Sequence, residues 1–541
     1  MNTTPVNPAL PEPAHGQLMP ITKQPRPVPD YDRRDLILAG GAVVAGYLCV
    51  RLVLFGGLGL GAAVALAAVL GLAVWVLLPR GKAIPREGRL FLCLAAALLS
   101  HFALIDNNVL KRLALPGFVL VLGYAAVILG GGRIEDRIGP FLPLELGDAL
   151  GLTPFLRFAE GPHILLHDIS KAKRGKSLLL LLAGGLMALP LFAVVASNLI
   201  AADAVFAGLW ERFRLHILAG LWTLSFQLIL AFPLACYLFA LLFGAKRAKG
   251  PRYDAERAGC IANLLRILPT AMALGAVLPI LALYAAFFFS QTAYFLSAFR
   301  GLLPHGIFLV SEYARNGFFE LCTVSAINLT LIAGMQLLCR EGPRLRRWLT
   351  LLLSLCSLGM IAIAMSKMFL YIRLYGLTPK RLYTSWFMLF LAEVFGLILA
   401  WLAKPSLNPV RGIVLTGTAM FLILCLANPG RMIADYNVNA YRNGRIPDLD
   451  ISIVQAQDAS ATAVLIEASQ MEELLHSHRH RIEELLRERL MYYRDLSWTQ
   501  QSLATFQARR LLEDWWAERT TAQGEGAEMI GAAMKWHLQF D

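Results

Sequence analysis

Apolar runs of membrane-crossing length recur between Leu36 and Ala427, and this repetition constrains the chain more than any other feature. A helix needs roughly 20 apolar residues to cross the hydrocarbon core. Only helices or closed barrels satisfy their backbone groups in lipid. These runs are continuous rather than alternating, so they predict helices. Eleven spans are read: Leu36–Phe55, Leu58–Leu78, Leu90–Ile105, Leu115–Gly130, Leu178–Ile200, Ile217–Phe243, Thr270–Phe299, Phe318–Leu338, Trp348–Arg373, Leu382–Leu402 and Gly412–Ala427. The 57% hydrophobic content and mean hydropathy of +0.57 fit this reading and exclude an ordinary soluble enzyme. The predicted fold class is all-α, a polytopic membrane helical bundle of about 11 spans with a small helical C-terminal soluble domain.

Connector charge gives the orientation. With the N-terminus inside, the inner connectors hold 27 Lys and Arg residues and the outer ones 8. Basic residues stay on the cytoplasmic side, so a cytoplasmic N-terminus is expected. Residues 1–35 open with a proline-rich stretch, which reads as a disordered cytoplasmic tail. The first span then acts as an uncleaved anchor of the domain over 36–427. The inner connector 131–177 ends in the basic run KAKRGK, suited to anionic lipid headgroups at the cytoplasmic face. The net charge of +13 is spread over such connectors, so nucleic acid is not an expected partner.

Residues 428–541 differ in composition, with 12 basic and 17 acidic residues. Eleven spans place this segment outside. In RIEELLRERLMYY, the residues Ile482, Leu485, Leu486, Arg489 and Leu490 recur at helical spacing. A second helix is predicted from Ser497 to about Glu518, with Trp498, Leu503, Phe506, Leu511 and Trp515 available to pack.

Ionisable residues inside spans are costly and mark functional candidates. On this topology Arg51, His101, Asp106, Asn107 and Asn108 gather toward the outer half. The candidate functional polar cluster is Asp203, Gln291, Arg315, Glu320, Lys367, Arg373 and Glu393, beneath the C-terminal domain, with cleaner cytoplasmic halves. Glu393 and Gln227 fall near mid-membrane. Glu320 or Glu393 is expected to pair with Lys367 across helices. The bland alternative is that end residues snorkel to the interface and that the pairs only fix packing.

No P-loop, nucleophile elbow or dinucleotide fingerprint occurs. Eight scattered cysteines predict neither a disulfide framework nor a thiolate zinc site. His476 and His480 lie at i, i+4 but have no evident third ligand, so they read as a solvated helix face. No cofactor or metal is expected.

Four stretches carry a resemblance. They are Tyr313-Ala314-Arg315-x-Gly317-Phe318-Phe319-Glu320-Leu321, NLIAADAVF at 198–206, MFLYIRLYGLTPKRLY at 368–383 and NPGRMIADYNVNAYRNGRIPDLDIS at 428–452. Together they resemble an uncharacterised bacterial multi-pass membrane family, domain of unknown function 4173, related to family 4153. Lys367 stands where that family's pattern has Arg. The resemblance implies a bacterial inner-membrane protein and carries no activity to transfer. YGLTPKRLY also reads as a connector, in which Gly376 stops one helix and Thr378 with Pro379 starts the next. Asn437, Asn439 and Tyr441 are expected to dock the C-terminal domain onto outer loops.

Three functions follow as expectations. The first is a non-catalytic envelope sensor or assembly protein, with an envelope protein or small solute as partner. The second is a secondary transporter using Glu393 and Lys367, supported by spans interrupted by Gly and Pro. The third is an outward-facing lipid-linked transferase, disfavoured because the first outer connector is only Gly56 and Gly57.

Overall fold

Helix ends in this protein are set by capping side chains, and the caps decide where each apolar run starts. In the computed structural model, Asp32 accepts from the Asp35 backbone N–H at 2.8 Å and Asp35 returns the bond at 3.1 Å, a capping box that opens α1 (Arg33–Cys49). Asn107 caps α4 (Asn108–Gly130) through Leu110 N at 3.0 Å. Thr378 and Asn408 cap α15 (Pro379–Ala403) and α16 (Pro409–Leu426), each with Pro at the first helical position. The structure describes residues 30–78, 84–171, 173–213, 219–248, 250–299, 318–340, 342–446, 449–450, 458–472 and 474–523. Most of the proline-rich head, Arg315 and part of the 428–452 stretch lie outside the described residues.

The order continues with α2 (Leu60–Leu77), α3 (Arg86–Leu104), the short connector helices α5 (Leu142–Leu146), α6 (Thr153–Leu156) and α7 (Glu160–Lys171), then α8 (Lys173–Ala202) and α9 (Ala204–Phe213). After these come α10 (Ala219–Arg247), α11 (Ala255–Leu264), α12 (Thr270–Phe299), α13 (Phe318–Leu338) and α14 (Pro343–Tyr375). Among the described residues nine helices are long and apolar enough to cross a membrane. Helices α8 and α13 cover the other two predicted spans. Three spans predicted as short are longer in the fold. Arg86, Arg89, Lys111, Arg112 and Arg411 interrupt the hydropathy without interrupting the helix. No strand occurs among the described residues.

The bundle has two apolar cores. Helices α1–α4 and α10 share the first, where Ala39, Ala42, Ala45, Ala62 and Ala73 give the close backbone approach that drives helix association in lipid. Helices α12–α15 share the second. Tyr383 and Trp386 of α15, with Val414 and Phe421 of α16, pack back onto the first core and join the two. Inside the second core Tyr284 donates to Asn328 Oδ1 at 2.6 Å and Asn328 donates to Ser357 Oγ at 2.9 Å. This buried network satisfies polar groups within the helix stack.

A third core belongs to residues 434–515. It is built by α17 (Pro429–Arg442), α18 (Thr462–Ser469), α19 (His476–Asp495) and α20 (Leu503–Gln523). Ile482, Leu485, Leu486, Arg489 and Leu490 are buried on α19, as their spacing predicts. Helix α20 departs from expectation. It starts at Leu503 rather than Ser497, and Ala504, Ala508 and Leu512 face the core beside Trp515. Trp498, Leu503, Phe506 and Leu511 are 42–58% exposed. Small residues four apart let α20 lie close to its neighbours, and Leu503, Phe506 and Leu511 are turned outward.

The connectors sort to two ends. At the arginine-rich end, fully buried Asp35 takes Lys246 at 2.6 Å and Arg247 at 2.8 Å. Glu87 holds Arg133 at 2.7 Å and Arg411 at 3.3 Å. Glu145 accepts from Ile134 N at 2.7 Å and from Tyr124 Oη at 3.1 Å, and burial pushes its carboxyl above the ordinary range. These charged groups all lie in the connectors at this end, outside the predicted spans. Each short connector here must neutralise the charges that fix its position. The C-terminal unit covers the opposite end.

Candidate functional site

The C-terminal unit meets the bundle through backbone as well as side chains. Leu60 N donates to Gln501 O at 2.7 Å and Gly61 N to Thr499 O at 3.0 Å, so the first turn of α2 finds its acceptors in the 497–502 segment. A Cβ at Gly59 would stand 2.4 Å from the Gln500 carbonyl carbon. On the other side, Asn437 brackets Leu377, donating to its carbonyl at 2.7 Å and accepting from its N–H at 2.7 Å. Gly376, at φ +76°, leaves room for that amide. Of the three residues expected to dock the unit, Asn437 does so; Asn439 is exposed and Tyr441 packs on the C-terminal core.

Between these contacts lies a cavity of about 710 Å³, walled by both units. Asn107, already the cap of α4, donates to Tyr383 Oη at 2.9 Å and to Asp458 Oδ2 at 3.1 Å. One amide therefore ties α4, α15 and the C-terminal unit together. Asp458 also caps the turn at Ser460, accepting from its N–H at 3.1 Å. Lys111 is 1% exposed and reaches Asp106 at 3.5 Å. Glu488, Arg489, Tyr492 and Tyr493 of α19 complete the wall. Burial pushes the Asp458 carboxyl above the ordinary range, and the charge of Asp106 adds to it, against the hydrogen bonds from Ser460 and Asn107. Burial likewise raises the Tyr493 phenol. The wall mixes carboxylates, cations, amides and phenols in one cleft, polar groups of the kind that orient a bound ligand.

The predicted polar cluster is not this site. Asp203 is exposed and caps α9, accepting from Phe206 N at 2.7 Å. Gln291 stands on the second half of α12. Glu320 is exposed on the first turn of α13, Lys367 is half-buried on α14 and Arg373 is exposed in the last turn of α14. Glu393, on α15, accepts from the Thr416 hydroxyl of α16. Among the described residues no ion pair joins Glu393 to Lys367. Thr416 lies on the next helix and supplies the donor that was expected from lysine. Arg381 places its guanidinium 3.9 Å over the Tyr371 ring and donates to Tyr375 O at 2.8 Å, fixing the YGLTPKR connector.

Asp106, Asn107 and Asn108 were noted in the sequence as outer-half polar residues, and they do line the cavity. Lys111, Tyr383, Asp458 and Arg489 were missed. The signal available for Lys111 was a cation within a helical run. Asp458 sits in a connector with no local pattern, and only the fold brings it to Asn107, 351 residues away in sequence.

A protein-family model described as domain of unknown function 4153 matches residues 64–468. The match runs from α2 into α18, so it includes Asp106, Asn107, Lys111, Tyr383 and Asp458 of the cavity wall and ends before the α19 residues that complete it. No curated protein matches the chain, and no solved structure matches it.

Proposed function

The chain belongs to the family of the domain of unknown function 4153, and from that premise we propose that it is a non-catalytic envelope sensor or assembly protein that binds a small polar group where its membrane bundle meets its C-terminal unit. In this reading the protein lies in a bacterial inner membrane. Residues 1–35 form a cytoplasmic tail, 36–427 the transmembrane domain and 428–541 an extracytoplasmic domain. The basic bias of the inner connectors supports that orientation.

The observation that carries the proposal is the cavity of about 710 Å³ walled by both units. A ligand there touches α4, α15 and α19 together, so occupancy is coupled to how the C-terminal domain sits. The polar wall lies at a helix end instead of running through the bundle, and the arginine-rich end is closed by ion pairs. Both features favour binding over passage.

The test replaces Asn107 and Asp458 with Ala in the full chain. At wild-type expression, this double variant is expected to reproduce the phenotype of a deletion, and Glu393→Gln is expected to leave function intact. Proteoliposomes that accumulate a solute under an ion gradient, and lose that activity with Glu393→Gln, would identify a transporter instead. A reporter fused after residue 445 checks the orientation, and cytoplasmic activity there would reverse it.

A further inference from the structure

Lys111 is a buried cation with little to hold. Its side chain is 1% exposed, and its one contact, to Asp106, is 3.5 Å long. An ammonium carries three donors, so two have no acceptor among the described residues. A buried charge is costly unless it is paired and hydrogen-bonded. The lysine therefore keeps donors unused beyond its long contact to Asp106, and it lines the junction cavity. The cavity also presents Asp106, Asp458 and Glu488, which call for a cation in the same ligand.

Beneath the cavity an apolar groove of about 330 Å³ lies between α3–α4 and α15–α16. Pro379 and Tyr383 line the cavity, and Trp386 and Phe390 line the groove. These residues recur at i, i+4, i+7 and i+11, so they form one stripe along a single face of α15. The stripe rises about 17 Å, close to one leaflet of a hydrocarbon core roughly 30 Å thick. Leu120, half-exposed, stands at the groove's edge. Gly117 and Gly417 keep the groove open between Phe421 and Phe390.

We propose that the cavity and groove together hold one zwitterionic phospholipid. The phosphate sits on Lys111 and Arg489, the amine faces Asp458 and Asp106, and one acyl chain lies along the α15 stripe. The proposal rests on the junction being a binding site and adds the class of ligand. The charge balance selects a headgroup that carries both signs, and the leaflet-deep stripe selects a chain attached to it.

The full chain is purified from membranes in mild detergent, and retained lipid is measured by native mass spectrometry after exchange against phosphatidylethanolamine vesicles. About one phosphatidylethanolamine per chain is expected to remain. Lys111→Met and Gly117→Leu are each expected to lower that occupancy at least tenfold. Gly117→Ala should retain it, because a Cβ there meets its nearest neighbour at an ordinary 3.6 Å. Wild-type-like melting of both test variants ensures that lost occupancy is not unfolding. Vesicles of phosphatidylglycerol, which lacks the amine, are expected to exchange in at least tenfold less. Equal retention by wild type, Lys111→Met and Gly117→Leu would mean annular lipid only and overturn the proposal. Stabilisation of wild type and Gly117→Leu by soluble phosphoethanolamine, with no lipid retained, would overturn the lipid while leaving the binding site. No response to either probe would overturn both.

Discussion

At the arginine-rich end Asp35 holds Lys246 at 2.6 Å and Arg247 at 2.8 Å, whereas at the opposite end Lys111 reaches Asp106 only at 3.5 Å. Both ends bury a charge. The first surrounds it with close partners and leaves a cavity of about 60 Å³ beside Glu145 and Asp148. The second leaves about 710 Å³. A buried ion pair with short contacts fixes geometry at little net gain in stability. A buried ion with a long contact and open space beside it is arranged for something else to complete. The contrast separates residues that hold the bundle from residues that are available to a ligand.

The strongest way to break this contrast is at the structural end. Asp35→Ala removes the second half of the α1 capping box and the shared partner of two cations. It is expected to cost about 3 kcal/mol, the low end for breaking a buried pair because both cations keep some solvent contact. Denaturation of the full chain in detergent measures the loss. Ligand occupancy in the surviving folded fraction should not change. A loss of occupancy without a loss of stability would place the functional end on the wrong side.

Asn437→Ala comes next. It strips two 2.7 Å bonds from Leu377, whose backbone is buried, and is expected to cost about 2 kcal/mol. The damage should be local. Proteolysis between 428 and 446 should accelerate while the α1–α4 bundle stays resistant. Equal sensitivity throughout the chain would show that the C-terminal unit and bundle unfold as one body.

Gly430→Ala is a finer probe. A Cβ there would stand 2.2 Å from Asp458 Oδ1, so the carboxylate must leave its seat beside Asn107. A stability loss of about 1 kcal/mol is expected, the worth of one net hydrogen bond. The effect on ligand occupancy should be far larger than on melting. If melting alone responds, Asp458 is a strut and not part of a binding wall.

The spans were legible because hydropathy reports transfer into lipid directly, and Ile482, Leu485 and Leu490 were legible because one face of α19 repeats every 3.6 residues. Helix α20 was misread for a physical reason. Alanines at 504 and 508 carry little hydropathy, yet they allow the closest approach, so a search for large apolar side chains chose Phe506 and Leu511 on the outer side. The polar site was partly legible. Charge cost at membrane depth singles out residues one at a time, and it found Asp106 and Asn107 as well as Glu393. It cannot tell which of them share a cavity. That depends on where α15 and the 458–460 turn arrive, and no local pattern encodes it. Lys111 was passed over because it was counted as a connector charge, although Asn107 caps the helix one turn earlier.

The last and smallest effect is one of pH, and it separates the ends by residue. Burial raises the Asp458 carboxyl in the folded chain above its unfolded value. Between those two values the folded state binds more protons than the unfolded one, so stability falls as pH rises through that window and is regained on acidification. Glu145 at the arginine-rich end is raised for the same reason and contributes in the same direction. Single variants therefore divide the slope. Asp458→Asn should flatten the part that proteolysis of the C-terminal unit detects, and Glu145→Gln should flatten the part seen in global denaturation. Acidification should also weaken the hold on an amine, because protonated Asp458 no longer carries charge toward it. Docking of the unit would thus tighten while amine retention declines. Parallel movement of the two on acidification would detach Asp458 from the ligand.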